Sequence, residues 1–170
     1  RIVEKQLESG EVAYKLQGDR TDACHWAQTL GEWPGLYREA DKAKPNYVYY
    51  NKENNGWTCD DFRLTDGQSL PIGLDFTATK ATYDRTLAAG KATLCLPYEL
   101  PVQGFKAYTL SGGDNSAVHF ADAKDKLETY KPYLITADGV PQLGGENIEV
   151  KAFNDDKLTT PAGKYKFVGT

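Results

Sequence analysis

Asn46-Tyr47-Val48-Tyr49-Tyr50, followed by Asn54-Asn55-Gly56 and then by Trp57-Thr58-Cys59-Asp60-Asp61-Phe62-Arg63-Leu64, is the stretch whose reading decides the fold. Aromatic and β-branched residues suit the pleated, half-buried surface of a strand, and an Asn-Gly pair tolerates the positive φ of a tight hairpin turn. Two strands joined by a hairpin are therefore expected here. Further strand candidates follow at residues 74–78, 81–86, 91–96, 105–110, 117–120, 133–136, 148–153 and 164–168. Turn signals such as Asp66-Gly67, Ser111-Gly112-Gly113-Asp114, Asp138-Gly139 and Gly144-Gly145 separate several of them. Short strands at this spacing, without long alternating helices, predict a mainly β chain: an antiparallel β-sandwich-like single domain spanning residues 1–170, with one or two short helices. Within it, Thr93-Leu94-Cys95-Leu96-Pro97 is expected to be a central buried strand, because Leu94 and Leu96 alternate and Pro97 can end the ladder.

The helical candidates are few. Residues 7–18 alternate as a strand at Val12, Tyr14 and Leu16, yet Ser9 as a cap, Val12 and Leu16 four apart and Gly18 past the end suit a short helix, which is the preferred reading. Residues 122–129 form the other candidate, short and mostly polar.

Composition narrows the partners. The 170 residues carry 20 basic and 24 acidic side chains, a net charge of −4, with no basic run. Phosphate binding needs clustered Lys and Arg, so nucleic acid and an anionic membrane surface are disfavoured. No stretch reaches a membrane-spanning length, and no membrane insertion is expected. The absence of methionine, including an initiator, reads as a segment of a longer precursor with flanking domains in the same polypeptide. Cys24, Cys59 and Cys95 are odd in number and contain no CxxC pair, so three free, partly buried thiols are expected, with a single bridge the alternative.

Enzyme signatures are lacking. The two histidines, His25 and His119, stand outside any GxSxG, HExxH or phosphate-loop context. Cys24 and His25 are sequence neighbours, which a strand points to opposite faces, so they are not read as a nucleophile and base. The chain is expected to be non-catalytic. Asp60-Asp61, Asp114-Asn115 and Asp155-Asp156 offer oxygen ligands without the spacing of a calcium loop. No cofactor is expected; a structural Ca²⁺ is the minor alternative, and no metal-ligand residue is nominated.

The aromatic residues carry the functional signal. A planar ring offers the apolar C–H face of a sugar a broad contact surface, and an indole or phenol adds a polar handle. Trp33, beside Pro34-Gly35 and Tyr37, falls in an expected loop and is the leading candidate for an exposed platform, with packing over one end of the sandwich as its alternative. Trp57 opens a strand and is open to exposure. Trp26 is assigned to the core. Tyr47 and Tyr49 share one strand face and Val48 and Tyr50 the other, so one pair should be buried and the other available. The candidate ligand-binding residues are Trp33, Tyr37, Trp57 and Tyr49.

Six blocks in order carry a resemblance: Ser9-Gly10-Glu11-Val12-Ala13-Tyr14-Lys15-Leu16, Trp26-Ala27-Gln28-Thr29-Leu30-Gly31, Phe62-Arg63-Leu64-Thr65-Asp66-Gly67, Phe76-Thr77-Ala78-Thr79, Thr93-Leu94-Cys95-Leu96-Pro97-Tyr98 and Lys131-Pro132-Tyr133-Leu134-Ile135. Across almost the whole chain they resemble a β-rich module that recurs in large secreted and cell-surface proteins of Bacteroides and Prevotella type bacteria, where it accompanies adhesins, proteases and glycan-degrading proteins. Glu32-Trp33-Pro34-Gly35 departs from the longer acidic segment of many relatives. The resemblance implies a secreted or cell-surface setting and no transferable catalytic residue. The expected function is a non-catalytic carbohydrate-binding accessory module that stacks aromatic side chains on a polysaccharide or glycoprotein glycan. The alternative is a structural spacer or adhesin domain without a small-molecule ligand, and a small hydrolase is a distant third.

Overall fold

The computed structural model describes residues 2–68, 70–85, 87, 90–114 and 116–153, and the backbone of 159–162 and 165–168. It is mainly β, 42% strand against 12% helical, so the expected fold class and its short helices hold. Along the chain lie α1 (Glu4–Glu8), α2 (Glu11–Gln17), β1 (Trp26–Thr29), β2 (Gly35–Leu36), a 3₁₀ turn (Glu39–Ala43), β3 (Tyr47–Asn51), β4 (Gly56–Thr65) and β5 (Phe76–Asp84). There follow β6 (Lys91–Leu94), β7 (Leu100–Pro101), β8 (Lys106–Gly113), β9 (Val118–Ala123), β10 (Lys126–Leu127), β11 (Tyr133–Thr136), β12 (Gly145–Val150), β13 (Thr159–Ala162) and β14 (Tyr165–Val168). The chain divides into two compact units, one of Arg1–Asp84 with Gly144–Phe153, the other of Arg85–Leu143 with Asn154–Thr170.

The first unit is built on a six-stranded sheet in the order β12-β5-β4-β3-β1-β2. The Asn-Gly hairpin forms: Asn51 pairs with Gly56, and Asn55 takes φ 50° while Gly56 joins the strand. One pairing departs from the antiparallel expectation. β4 and β5 run parallel, Phe62 opposite Ala81, with residues 66–75 returning the chain to the start of the sheet; a parallel neighbour requires such a return, which a hairpin cannot supply.

The paired helices α1 and α2 lie on one face of this sheet. Gly10, at φ 86°, joins them where a Cβ would meet Leu74 Cδ2 at 2.4 Å, with Leu30 and Val48 next nearest, so a side chain there would strain the backbone and force the Leu74 side chain to shift. Val48 lies opposite Cys59 and Tyr50 opposite Trp57, which puts all four on the helix side. The other face carries Ala27, Tyr47 and Tyr49, with Tyr37 and Cys24 packed against them. Both Tyr47/Tyr49 and Val48/Tyr50 are therefore buried, all four at most 8% exposed, where the alternation had left one pair free. Phe62, fully buried, meets Phe76 edge to face with ring centroids 5.3 Å apart.

The second unit holds a four-stranded sheet, β6-β11-β8-β9, and two ribbons, β7/β10 and β13/β14. Leu94 and Leu96 are buried as expected, but β6 ends at Leu94 and occupies the sheet edge, not its centre. Its core also takes Tyr98, Leu127, Ile135 and Leu143, with the Tyr98 hydroxyl donating to the Leu143 carbonyl at 2.5 Å. Residues 122–129 are not helical. They finish β9 and form β10, because Leu127, pairing with Leu100, is the position of that segment that reaches the core.

Candidate functional site

The β1–β2 hairpin of the first unit presents the most exposed apolar side chains near the aromatic segment: Trp33 at 65% and Leu36 at 70%. Its turn is held from beneath. Gln28, buried at 3% exposure, donates through Nε2 to the Leu7 and Glu32 carbonyls, both at 2.9 Å. The Gly31 N–H donates to the Glu8 carbonyl at 2.8 Å, Leu30 N–H to Asn46 at 2.9 Å, and Glu32 N–H to Thr29 at 3.0 Å. Gly31 takes φ 92°, which lets the chain reverse there without steric penalty. Trp33 is thus a solvent-exposed indole on a backbone fixed to α1, to β1 and to the loop before β3.

The other three nominated residues lie elsewhere in the packing. Tyr37 is half-buried, its hydroxyl donating to Glu39 Oε2 at 2.5 Å and its ring 5.9 Å from that of Tyr49. Tyr49, 4% exposed, donates to Asp60 Oδ1 at 2.5 Å, and Lys42 Nζ stands 5.2 Å from its ring centroid. Trp57 is 8% exposed beneath the helices, its ring 6.0 Å from Tyr14. Neither Tyr49 nor Trp57 offers a ring face to solvent, because both sides of β3 and β4 are covered. Trp26 is half-buried in β1. Sequence reasoning missed Leu36 and the anchoring by Gln28, whose partners at Leu7 and Glu32 no local pattern announces.

Cys24 and Ser116 bond to groups other than an imidazole. Cys24 Sγ bonds to the Trp26 carbonyl at 3.4 Å and accepts from the Tyr50 N–H at 3.2 Å, while His25 faces Asp22 at 3.8 Å. Asp114 sits between Ser116 and His119: its Oδ1 accepts from the Ser116 N–H, Ser116 Oγ and the Ala117 N–H, and Oδ2 meets His119 Nε2 at 3.1 Å. These bonds, that of Ser116 foremost, hold its carboxyl well below the usual range. The carboxylate, not the imidazole, holds the serine, so the three make a turn cap rather than a catalytic relay. Of the acidic pairs considered for calcium, Asp60 accepts the Tyr49 hydroxyl and Asp61 binds Arg63 at 2.7 Å, while Asp155-Asp156 lies outside the described residues. Among the described residues no group of three or more His, Cys, Asp or Glu is placed to hold a metal ion.

All three cysteines are free thiols. Burial pushes the Cys59 thiol up to about 12 and Cys95 to about 11, and raises Cys24 as well. Cys59 should therefore resist a thiol reagent at pH 8 in the folded protein and react once denaturant is added, as a spectrophotometric thiol titration would read. Above about pH 8.5 the unfolded chain ionises its thiols while Cys59 stays protonated in the fold, so this contribution to stability is lost as pH rises.

No family model matches the chain, and no curated protein or solved structure matches it. No helix among the described residues is long and apolar enough to cross a membrane.

Proposed function

We propose that this chain is a non-catalytic carbohydrate-binding accessory module of a secreted or surface multidomain protein, with Trp33 as the ring on which a sugar stacks. The observation that carries the reading is an indole 65% exposed on a turn whose backbone is tied at Gly31, Leu30 and Glu32. An exposed indole is unfavourable for folding, and a platform held in place before the ligand arrives loses little entropy on binding. Leu36 adds apolar surface on the same hairpin. The narrower site has one exposed ring, with Tyr37 partly accessible, in place of the four aromatics expected. A spacer or adhesin domain is the second reading, favoured by the burial of Tyr49 and Trp57.

Trp33→Ala separates them. As the central anchor of a binding site, the indole should contribute about 2 kcal/mol, some thirtyfold in affinity, while the melting temperature stays nearly unchanged. Calorimetric titration against a glycan retained by the native chain measures the first and thermal denaturation the second; unchanged affinity would remove Trp33 from the site.

A further inference from the structure

The hairpin that joins β3 to β4 carries the chain's one Asn-Gly pair, Asn55-Gly56. Such a pair is chemically labile in water, because glycine puts no side chain in the way when its backbone nitrogen attacks the preceding side-chain amide. The other asparagines precede Tyr, Lys, Asn, Ser, Ile or Asp, each of which obstructs that attack. Asn55 is exposed in the turn, at φ 50°, where water and hydroxide reach it. Gly56 is the first residue of β4 and pairs with Asn51.

One bond sets this amide apart from an ordinary turn asparagine. The Tyr50 hydroxyl donates to Asn55 Oδ1 at 2.5 Å. Tyr50 is 8% exposed, so the phenol that reaches the exposed amide is rooted in the core. Ring closure requires Asn55 Cγ to swing onto the Gly56 nitrogen. The Tyr50 bond fixes the side chain and the Asn51–Gly56 pairing fixes the backbone, and both restrain the rotations that closure needs.

We propose that Asn55 is a self-modification site, an asparagine that converts to aspartate and isoaspartate through a cyclic imide, and that Tyr50 is the latch that slows this conversion in the fold. Hydroxide takes the Gly56 N–H proton and the nitrogen attacks Asn55 Cγ. The N–Cγ bond forms and the Cγ–Nδ2 bond breaks; the amide leaves as ammonia with a proton from water, which returns the hydroxide. Water then opens the imide. Cleavage at Cγ leaves aspartate, and cleavage at the Asn55 main-chain carbonyl carbon leaves isoaspartate, with the chain running through Cγ. Isoaspartate adds a methylene to the main chain, which the Asn51–Gly56 pairing cannot take without a local shift of register. The site does not rest on glycan binding.

Peptide mapping by mass spectrometry, with chromatography to separate aspartate from isoaspartate, reads conversion at residue 55 of the intact chain in mildly alkaline buffer. The folded native chain should convert at least about threefold more slowly than the same chain in denaturant, because only the opened hairpin reacts. Tyr50→Phe removes only the hydroxyl, and when folded it should convert at least about threefold faster than native, the effect of one hydrogen bond. In denaturant the two should convert equally. Gly56→Ala, whose Cβ meets nothing nearer than the Asn54 carbonyl oxygen at 3.8 Å, should suppress conversion in both states. Thermal denaturation checks that Tyr50→Phe is folded, and the comparison of folded with denatured native chain stands without that variant. Equal conversion of folded and denatured native chain, no gain in folded Tyr50→Phe, or no conversion at residue 55 in denaturant would each overturn the proposal.

Discussion

Phe62→Ala is expected to destabilise the protein by about 3 to 5 kcal/mol, the usual range for deleting a fully packed aromatic side chain. Phe62 is 0% exposed near the middle of β4 and meets Phe76 edge to face. On one side β5 pairs with β4, Phe62 opposite Ala81, and on the other the Asn46 side chain bonds to the Arg63 backbone. A backbone held in this way moves little, so the cavity closes poorly and the transfer and cavity terms are both felt. Urea denaturation followed by tryptophan fluorescence measures the loss. A change under about 1 kcal/mol would mean that β4 is not central to the core of the first unit.

Gln17→Leu should cost at least about 3 kcal/mol, although leucine is apolar and of similar size. Gln17 is fully buried at the end of α2, and its amide makes four hydrogen bonds. Nε2 donates to the Arg20 and Ala23 carbonyls at 3.0 and 2.8 Å, and Oε1 accepts from the His25 and Trp26 N–H groups at 2.7 and 3.2 Å. One side chain thus supplies bonds to the irregular segment 20–25 and to the first residue of β1, and ties them to α2. Leucine would leave four backbone groups without these partners, each costing about 1 to 3 kcal/mol when it stays buried. Gln17→Glu keeps the shape and two acceptors but turns a buried carboxylate oxygen toward the Arg20 and Ala23 carbonyls, so it should be destabilising as well. Thermal denaturation of the three proteins gives the order; leucine equal to native would show that water replaces the amide without loss.

These two residues mark what the sequence makes legible. Phe62 lies in a strand read from aromatic and β-branched alternation, and the hairpin at Asn55, the strand at residues 133–136 and the burial of Leu94 and Leu96 followed from the same local signals. Gln17 was invisible, because its partners lie up to nine residues away and a glutamine near a helix end is ordinarily solvated. The parallel placement of β5 beside β4 was likewise hidden, since strand order depends on contacts between segments rather than on periodicity within one. The same limit governed the binding residues. Trp33 was readable as exposed from Pro34-Gly35, a turn with no room to bury an indole. Tyr49 and Trp57 were not, because alternation says that a strand has two faces and not that helices cover one and a 3₁₀ turn the other.

The most direct test of Trp33 as a sugar-stacking platform is affinity electrophoresis of the native chain and Trp33→Ala, side by side, through gels containing plant, host or microbial polysaccharides. The native chain should be retarded by at least one polysaccharide, and Trp33→Ala should run through that gel as it does through a gel without polysaccharide. Unretarded migration of the native chain in every gel, or equal retardation of both proteins, would contradict the account.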